Sequence, residues 1–373
     1  MADRQLSDDQ KLDWLQLILS ENVGPATFKR LINHFGGAAM ALEALPELSR
    51  HGGLGRKIKL YPRNKAQADL QKIGKLGARL IAMGERDYPS SLNQIDTAPP
   101  LLCIKGKAEL MHRPKVAMVG ARNASALGRK FARQLANELS KSGFVIVSGL
   151  ARGIDTAAHE ASVEGGTIAV LAGGIDNIYP PENHNLHEQI AGQGVLVCEH
   201  PPGYQPQSHD FPRRNRLISG MSFGVIIVEA AKRSGSLITA RFALEQGREV
   251  FAVPGSPLDP RAAGTNSLIQ QGAVLTTSAN DVISVLSPMA EGLQGLEQQF
   301  QEHKEDEINM LSSAEISDNT RIRVMDSLGV SPVGIDDLAR ECEITPSELH
   351  TILVEMELAG RLSRHSNHTV SLN

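Results

Sequence analysis

Apolar residues recur along this chain with two periods, and the change from one to the other divides it. The runs KVAMVG, FVIVS, TIAVL, GVLVCE, GVIIVEA and EVFAVP are short, continuous and rich in β-branched residues, as strands buried on both faces are. Between them lie stretches of helical period, such as LGRKFARQLANELSKSG and GSLITARFALEQG. Strand and helix alternate through residues 112–287, which predicts an α/β fold: a Rossmann-like, doubly wound, mostly parallel sheet with helices on both faces. Ligands of such sheets bind at the carboxyl ends of the strands, near the point where strand order reverses. The turns after the strands are therefore where chemistry is expected.

The flanks read differently. In NVGPATFKRLINHFGG, residues 22–37, a Gly-Pro turn precedes a helix with apolar Phe28, Leu31, Ile32 and Phe35, which suits a SAM or helix-hairpin-helix-like unit. The turn amides of such a unit can meet a phosphate. A purely structural helical hairpin is the alternative, and only Lys29 and Arg30 stand nearby to favour DNA. From 288 to 318 the chain is rich in Glu and Gln and poor in apolar residues, which predicts a solvated acidic linker. Beyond it TRIRVMDSLG, GIDDLARECEI and ELHTILVEMELAGRL predict three short helices, and SRHSNHTVSLN a terminal β-wing, the pattern of a winged helix. The helix that would enter a groove carries Glu348, Glu355 and Glu357 and no base before Arg361, so a structural or protein-binding role is expected over duplex recognition. The expected domains are 1–80, helical; 81–287, Rossmann-like; 288–318, linker; and 319–373, winged helix.

Composition narrows the class. The 373 residues are 41% hydrophobic and 21% charged, with no apolar run long enough for a membrane span, so no membrane insertion is expected. The start, MADRQLSDDQKLDW, lacks the apolar core of a secretory signal, which places the chain in the cytoplasm. Cys103, Cys198 and Cys342 form no CxxC pair, and they read as small buried hydrophobes with no metal site. The net charge of −4 hides an asymmetry. Residues 1–110 carry 16 bases and 12 acids and residues 111–288 carry 16 and 14, whereas residues 289–318 carry 1 and 8. A polyanion would meet the front of the molecule and avoid its tail.

Three turns at strand ends share a chemistry. GARNAS (Gly120 to Ser125), SGLARGID (Ser148 to Asp155) and SGSLIT (Ser234 to Thr239, with Gly235 and Ser236) each join small residues to a helix start. Glycine allows close backbone approach and free helix N-terminal amides attract anions, so together they suggest a phosphate-binding rim, to which Arg122 and Arg152 add charge. Any one of these turns alone would be read as a tight βα connection. No GxxxxGK[ST] and no GxGxxG is present, which removes nucleotide hydrolysis at a P-loop and weakens a dinucleotide oxidoreductase. Asp155, His159, His184, His187, Glu229 and the run Cys198-Glu199-His200 are candidate catalytic groups, each better explained structurally: Asp155 as a helix cap or arginine partner, His159 as a helix-face residue. No catalytic residue and no cofactor is expected.

FPRRNR, residues 211–216, concentrates three arginines beside an aromatic ring. Arginine grips phosphate oxygens in pairs and a phenylalanine face can stack a base, a combination suited to single-stranded nucleic acid. Pro212 places the arginines in the first turn of a helix, where positive charge opposes the dipole. On this reading Arg213 and Arg214 clamp consecutive phosphates and Phe211 stacks a base, while Arg216, just before the apolar LIS, is the one expected to pair with Asp210, Glu199 or Glu229 inside the fold.

The series VGARNAS, SGLARGIDTAAH, YPPEN, FPRRNRLISG, IIVEAAKRSGSLITARFALEQGREVFAVPGS and GTNSLIQQGA resembles the DNA-processing protein A family, DprA or Smf, over most of residues 80–287. The resemblance implies a non-enzymatic protein of natural transformation that binds and protects incoming single-stranded DNA and loads RecA recombinase onto it. It also implies a Rossmann-like domain that forms a homodimer. Carried over by position, the DNA pocket would hold Gly120, Arg122, Ser148, Gly149, Arg152, Phe211, Arg213, Arg214 and Asn215. Ala121 stands where the family often has serine. A rival reading compares SGSLITARFALEQG, with Thr239 and Glu245, to nucleotide-processing enzymes of the lysine-decarboxylase-like group. The PGGxGTxxE turn of that group is missing here.

Overall fold

The computed structural model describes residues 5–52, 58–299, 316–365 and 368–373. Ser7 opens α1 (Asp8–Ile18) through a capping box with Gln10, and the Gly24-Pro25 step opens α2 (Pro25–Phe35). α3 (Ala38–His51) and α4 (Arg63–Lys75) complete the N-terminal helices. Strands and helices then alternate: β1 (Arg79–Ala82), β2 (Leu101–Gly106), β3 (Lys115–Gly120), α5 (Ala126–Lys141), β4 (Val145–Ser148), α6 (Ile154–Ser162), β5 (Thr167–Val170), α7 (His184–Gln193), β6 (Val195–Cys198), α8 (Asp210–Gly220), β7 (Gly224–Val228), α9 (Ser236–Glu245), β8 (Glu249–Ala252), α10 (Ala263–Gln270), β9 (Val274–Leu275) and α11 (Ala279–Gln299). The chain ends in α12 (Asp318–Asp326), β10 (Val333–Gly334), α13 (Ile335–Glu341), α14 (Pro346–Leu358), β11 (Leu362–His365) and β12 (Thr369–Leu372), a winged helix.

The large sheet has the order β1-β2-β6-β5-β4-β3-β7-β8-β9, parallel from β6 to β9, with β1 and β2 antiparallel at one edge. All six strands expected from the apolar runs are present and run parallel to one another, with antiparallel β2 beyond β6. The order reverses between β3 and β7. Period-two alternation sorts the strand residues: Val116 and Met118 pack under α5, α6 and α11, whereas Ala117 and Val119 face Leu217 and Ile218 of α8 and Ala240 and Ala243 of α9. No described helix is long and apolar enough to cross a membrane.

Two domain expectations change. The acidic stretch from 288 does not begin as a linker, because α11 continues through it to Gln299; residues 300–315 lie outside the described residues. The winged helix is not a separate body either. The described chain forms two compact units, one containing Asp69–Lys304 and the other joining Leu6–Ala68 to Glu305–Asn373.

In the second unit Val354 and Leu358 of α14 enter the same apolar core as Leu17, Phe28, Leu31 and Leu45. Gly52, just after α3, allows the closest approach: a Cβ there would lie 1.9 Å from the Glu355 carbonyl oxygen. The glutamates of α14 are spent inside this unit. Glu348 closes a capping box with Thr345. Glu355, 1% exposed, takes a forked hydrogen bond from Arg321 at 2.8 Å on each oxygen. Glu357 accepts from Arg30 at 2.6 Å, Thr27 at 2.8 Å and Arg364 at 3.3 Å. Arg30, one of the two cations that favoured DNA at the N-terminal hairpin, is thereby committed to the winged helix, and the structural reading of that hairpin gains support.

Candidate nucleic-acid interface

β3 ends at Gly120, which fits because a Cβ would lie 1.8 Å from the Val228 carbonyl oxygen of β7. The turn that follows caps α5 with Ser125, whose hydroxyl accepts from Gly128 N–H. Two of the amides at this helix start, those of Ser125 and Gly128, are already taken by the protein itself. Glu229, at φ 52°, crosses from the end of β7 and takes hydrogen bonds from the Ser125 N–H at 2.8 Å and from the Ser125 hydroxyl. The second turn is sealed in the same way: Asp155 of α6 accepts from Gly149 N–H at 3.1 Å and Ala151 N–H at 3.3 Å. The expected phosphate rim of free amides is thus corrected at two of its three turns, because the protein supplies its own carboxylates there. The third turn stands apart from the cleft described below; Ser234 and Ser236 share a hydrogen bond at 2.7 Å, and Asn215 donates to the Gly235 carbonyl at 3.5 Å.

What opens at the ends of β3, β4 and β5 is a cleft of about 290 Å³. Arg122 and Asn123 border it from the first turn, Gly149 and Arg152 from the second, Tyr179 from the loop after β5, and Phe211 and Arg214 from α8. Ala151, Leu171, Ala172, Gly173, Pro180 and Pro206 add apolar wall, and Asn177 a polar side chain. The Arg122 guanidinium lies over the Phe211 ring, 5.3 Å from its centroid, and the Tyr179 ring lies 5.4 Å from Phe211 at an interplanar angle of 53°. Arg152 pairs with Glu182 at 2.5 Å, both side chains being mostly in solvent.

The three arginines of FPRRNR separate because successive helix residues point in different directions. Arg213 is exposed. Arg214 is 6% exposed and donates to the carbonyl oxygens of Gly149, at 2.9 Å, and Val170. Burial draws its pKa down to about 10, against the opposing pull of the Asp155 carboxylate. Asp155 is itself held above the ordinary carboxylate range by burial, which Arg214 and the two amides counter. The expectation that Arg213 and Arg214 clamp consecutive phosphates is therefore corrected: Arg214 ties α8 to β4 and β5 from beneath the cleft. Arg216 pairs with Glu199, as expected of it.

Ser148 is fully buried and donates to the Met118 carbonyl at 2.6 Å, so it belongs to the sheet and not to the surface of the cleft. Gly149 is needed for contact, since a Cβ would lie 2.6 Å from the Arg214 guanidinium. Of the catalytic candidates, His159 is buried on Thr167 at 2.7 Å with its pKa drawn down to about 3 by burial, and His200 stacks on Tyr204 at 4.0 Å beside Asp210. Neither borders the cleft. Thr239 is buried in α9, and Glu245 is exposed at the other end of that helix beside Arg241, so the arrangement suspected for base release does not assemble. Tyr179 and Asn177, which border the cleft, were not singled out from the sequence.

A Rossmann-like sheet with carboxylates of its own on the amides of its first two strand-end turns, and with arginines and aromatic rings around a cleft at those ends, belongs to the class of doubly wound binding domains. Comparison with known proteins gives that class its family. The family model described as DNA recombination-mediator protein A matches residues 79–287, flanked by matches to the DprA-like N-terminal HHH domain at 8–71 and the DprA winged helix domain at 311–368. The chain belongs to the DNA recombination-mediator protein A family, DprA. It is 48% identical to DNA processing protein DprA of Bacillus subtilis over 213 residues, 56% of this chain and 72% of that one. It is 37% identical to Protein Smf of Synechocystis over 313 residues, 79% and 77% of the two chains. The crystal structure of DprA from Streptococcus pneumoniae superposes with a TM-score of 0.63 at 34% identity, over 75% of this chain and 98% of that one. A structure concerned with the single-stranded DNA binding mode of DNA processing protein A from Helicobacter pylori does so with a TM-score of 0.53 at 31% identity, over 57% and 96%.

Proposed function

We propose that this chain binds single-stranded DNA at the mouth of the cleft and acts without covalent chemistry as a recombination mediator, loading RecA recombinase onto the strand as a homodimer in the cytoplasm. The observation that carries the binding is the placement of exposed Arg122 and Arg152 beside the aromatic rings of Phe211 and Tyr179 at the cleft, with exposed Arg213 on the same helix as Phe211. Phosphates would run along the arginines and Phe211 would support a base, with Gly120, Gly149, Arg214 and Asn215 shaping the site and Ser234, Gly235 and Ser236 extending it past α8. The relative from Helicobacter pylori, whose structure concerns single-stranded DNA binding, supports the choice of ligand. RecA, the homodimer and the absence of catalysis rest on the family resemblance.

The test is fluorescence anisotropy of a labelled single-stranded oligonucleotide across a salt series, with duplex and mononucleotide as competitors. Binding to single strands should weaken with salt, with a slope of ~0.7 per neutralised phosphate. Arg122→Ala and Arg213→Ala should each lower that slope by about one contact. Unchanged slopes in both variants would overturn the site; avid mononucleotide binding would overturn the function.

A further inference from the structure

The chain between β6 and the first turn of α8 carries two histidines, and both face one carboxylate. Asp210, the first residue of α8, has a side chain 2% exposed. Its Oδ2 accepts the Gln207 N–H at 2.8 Å and the Tyr204 hydroxyl at 2.9 Å, which folds the loop back onto the helix start. Its Oδ1 faces two imidazoles, His209 Nε2 at 3.4 Å and His200 Nε2 at 3.7 Å. Neutral rings give that buried oxygen little, whereas a protonated ring would complete an ion pair with it.

The surrounding charges leave this balance open to pH. His200 stacks on Tyr204 and bridges to Gly174 through its backbone. Burial holds its pKa below the ordinary 6.5; Glu199 and Asp210 pull it up, and Arg213 and Arg216 push it down. Glu199 is committed to Arg216, and Asp176, which takes the Gly203 N–H, is committed to Lys72 at 2.9 Å. His209 is 66% exposed, and the Arg213 N–H donates to its carbonyl at 3.4 Å, so the two side chains lie one turn apart on the outer face. Resting on the single-stranded DNA reading above, we infer that Asp210, His200 and His209 form a proton-operated clasp at the start of α8. Protonated rings close on Asp210 and add positive potential beside Arg213, so the strand is held more tightly in acid and takes up protons as it binds. The coupling is reciprocal, since bound phosphates favour the protonated rings by the same factor.

The experiment measures affinity for a thymidine oligonucleotide, whose bases do not titrate in this range, from about pH 8 down to about pH 5.5 at fixed salt. Arginine keeps its charge throughout, so any dependence on pH reports other groups. Parent affinity should rise roughly tenfold across the range, within the limit of about tenfold per pH unit for each proton taken up. The double variant His200→Gln, His209→Gln should bind as the parent does at the alkaline end and lose most of the rise. In the free protein, Asp210→Asn should lower the pKa of both imidazoles followed by NMR, with each single His→Gln variant identifying its resonance. A rise that survives in the double variant, or imidazoles indifferent to Asp210→Asn, would overturn the clasp while leaving strand binding intact. Failure of the parent to bind the oligonucleotide at any pH would overturn the reading beneath it, and the role of the clasp with it.

Discussion

Removing the Glu357 carboxylate should loosen the winged helix and the N-terminal helices together, and the size of the effect follows from the three groups around it. Glu357→Ala leaves Arg30 and Arg364 facing each other without their shared anion and deprives Thr27 of its acceptor. Breaking a fully buried pair from one side costs about 3–5 kcal/mol. Here the side chains keep 18–26% of their exposure, so water screens part of the repulsion and a loss of ~2 kcal/mol is expected. Arg30→Met should cost less, about 1 kcal/mol or below, because Glu357 keeps Arg364 and Thr27. Trp14, the one tryptophan of the sequence, reports the change: it packs edge-on to Phe28 at 5.0 Å, against the core that Val354 and Leu358 enter from α14. In a urea titration followed by Trp14 fluorescence, the midpoint should fall by on the order of 1 M. Gly52→Ala should move it in the same direction by about 1–3 kcal/mol, since the added methyl would strike the Glu355 carbonyl. A Trp14 transition that stays put in both variants would show that the two modules unfold separately and would refute the shared core.

Two further outcomes test the Rossmann-like unit. Arg214→Met should destabilise it by about 3–5 kcal/mol, by stranding Asp155 in the interior, whereas Arg213→Ala should stay within about 0.5 kcal/mol; thermal melts by circular dichroism separate the two. His159 has a folded pKa of about 3, below its ordinary value of 6.5, so the unfolded chain takes up the proton first as pH falls. Stability is full above pH 6.5 and declines toward pH 3, at ~1.4 kcal/mol per unit. His159→Gln should therefore lose about 1 kcal/mol less than the parent between pH 7 and 5.5 in urea titrations, and equal losses would refute the assignment.

The parallel strands were legible because continuous β-branched runs have few other ways to be buried, and the helices between them because their period is unambiguous. The antiparallel edge was harder. β1 has four residues and β2 breaks off at Lys105-Gly106, too little pattern to stand out from loop. α11 was masked by its own composition, since Glu and Gln suit a solvated helix as well as a linker. At the site, composition located FPRRNR but could not say which arginine faces out; that depends on the phase of α8, which puts Arg214 inside and Arg213 outside. Glu229 and Ser125 are 104 residues apart, and no local spacing announces their contact. Tyr179 lies in a loop without period, so only the folded neighbourhood of Phe211 identifies it.

The plugged crevice explains why the cleft lies where it does. In a doubly wound sheet the reversal of strand order, here between β3 and β7, is the usual seat of a nucleotide phosphate. Glu229 occupies that seat. It holds a left-handed backbone conformation that costs a non-glycine residue about 1–3 kcal/mol, and Gly128 leaves room for its carboxylate, which a Cβ would approach to 2.5 Å. A phosphate could enter only by displacing an anion already bonded to the start of α5, a poor exchange. On the proposed reading, binding falls instead at the mouth bounded by β3, β4 and β5, where the exposed cations Arg122 and Arg152 stand in place of fixed amides. Exposed arginines grip any phosphate of a chain equally and are screened by salt, so this displacement alone favours a polymer held without sequence preference over a single nucleotide held for chemistry.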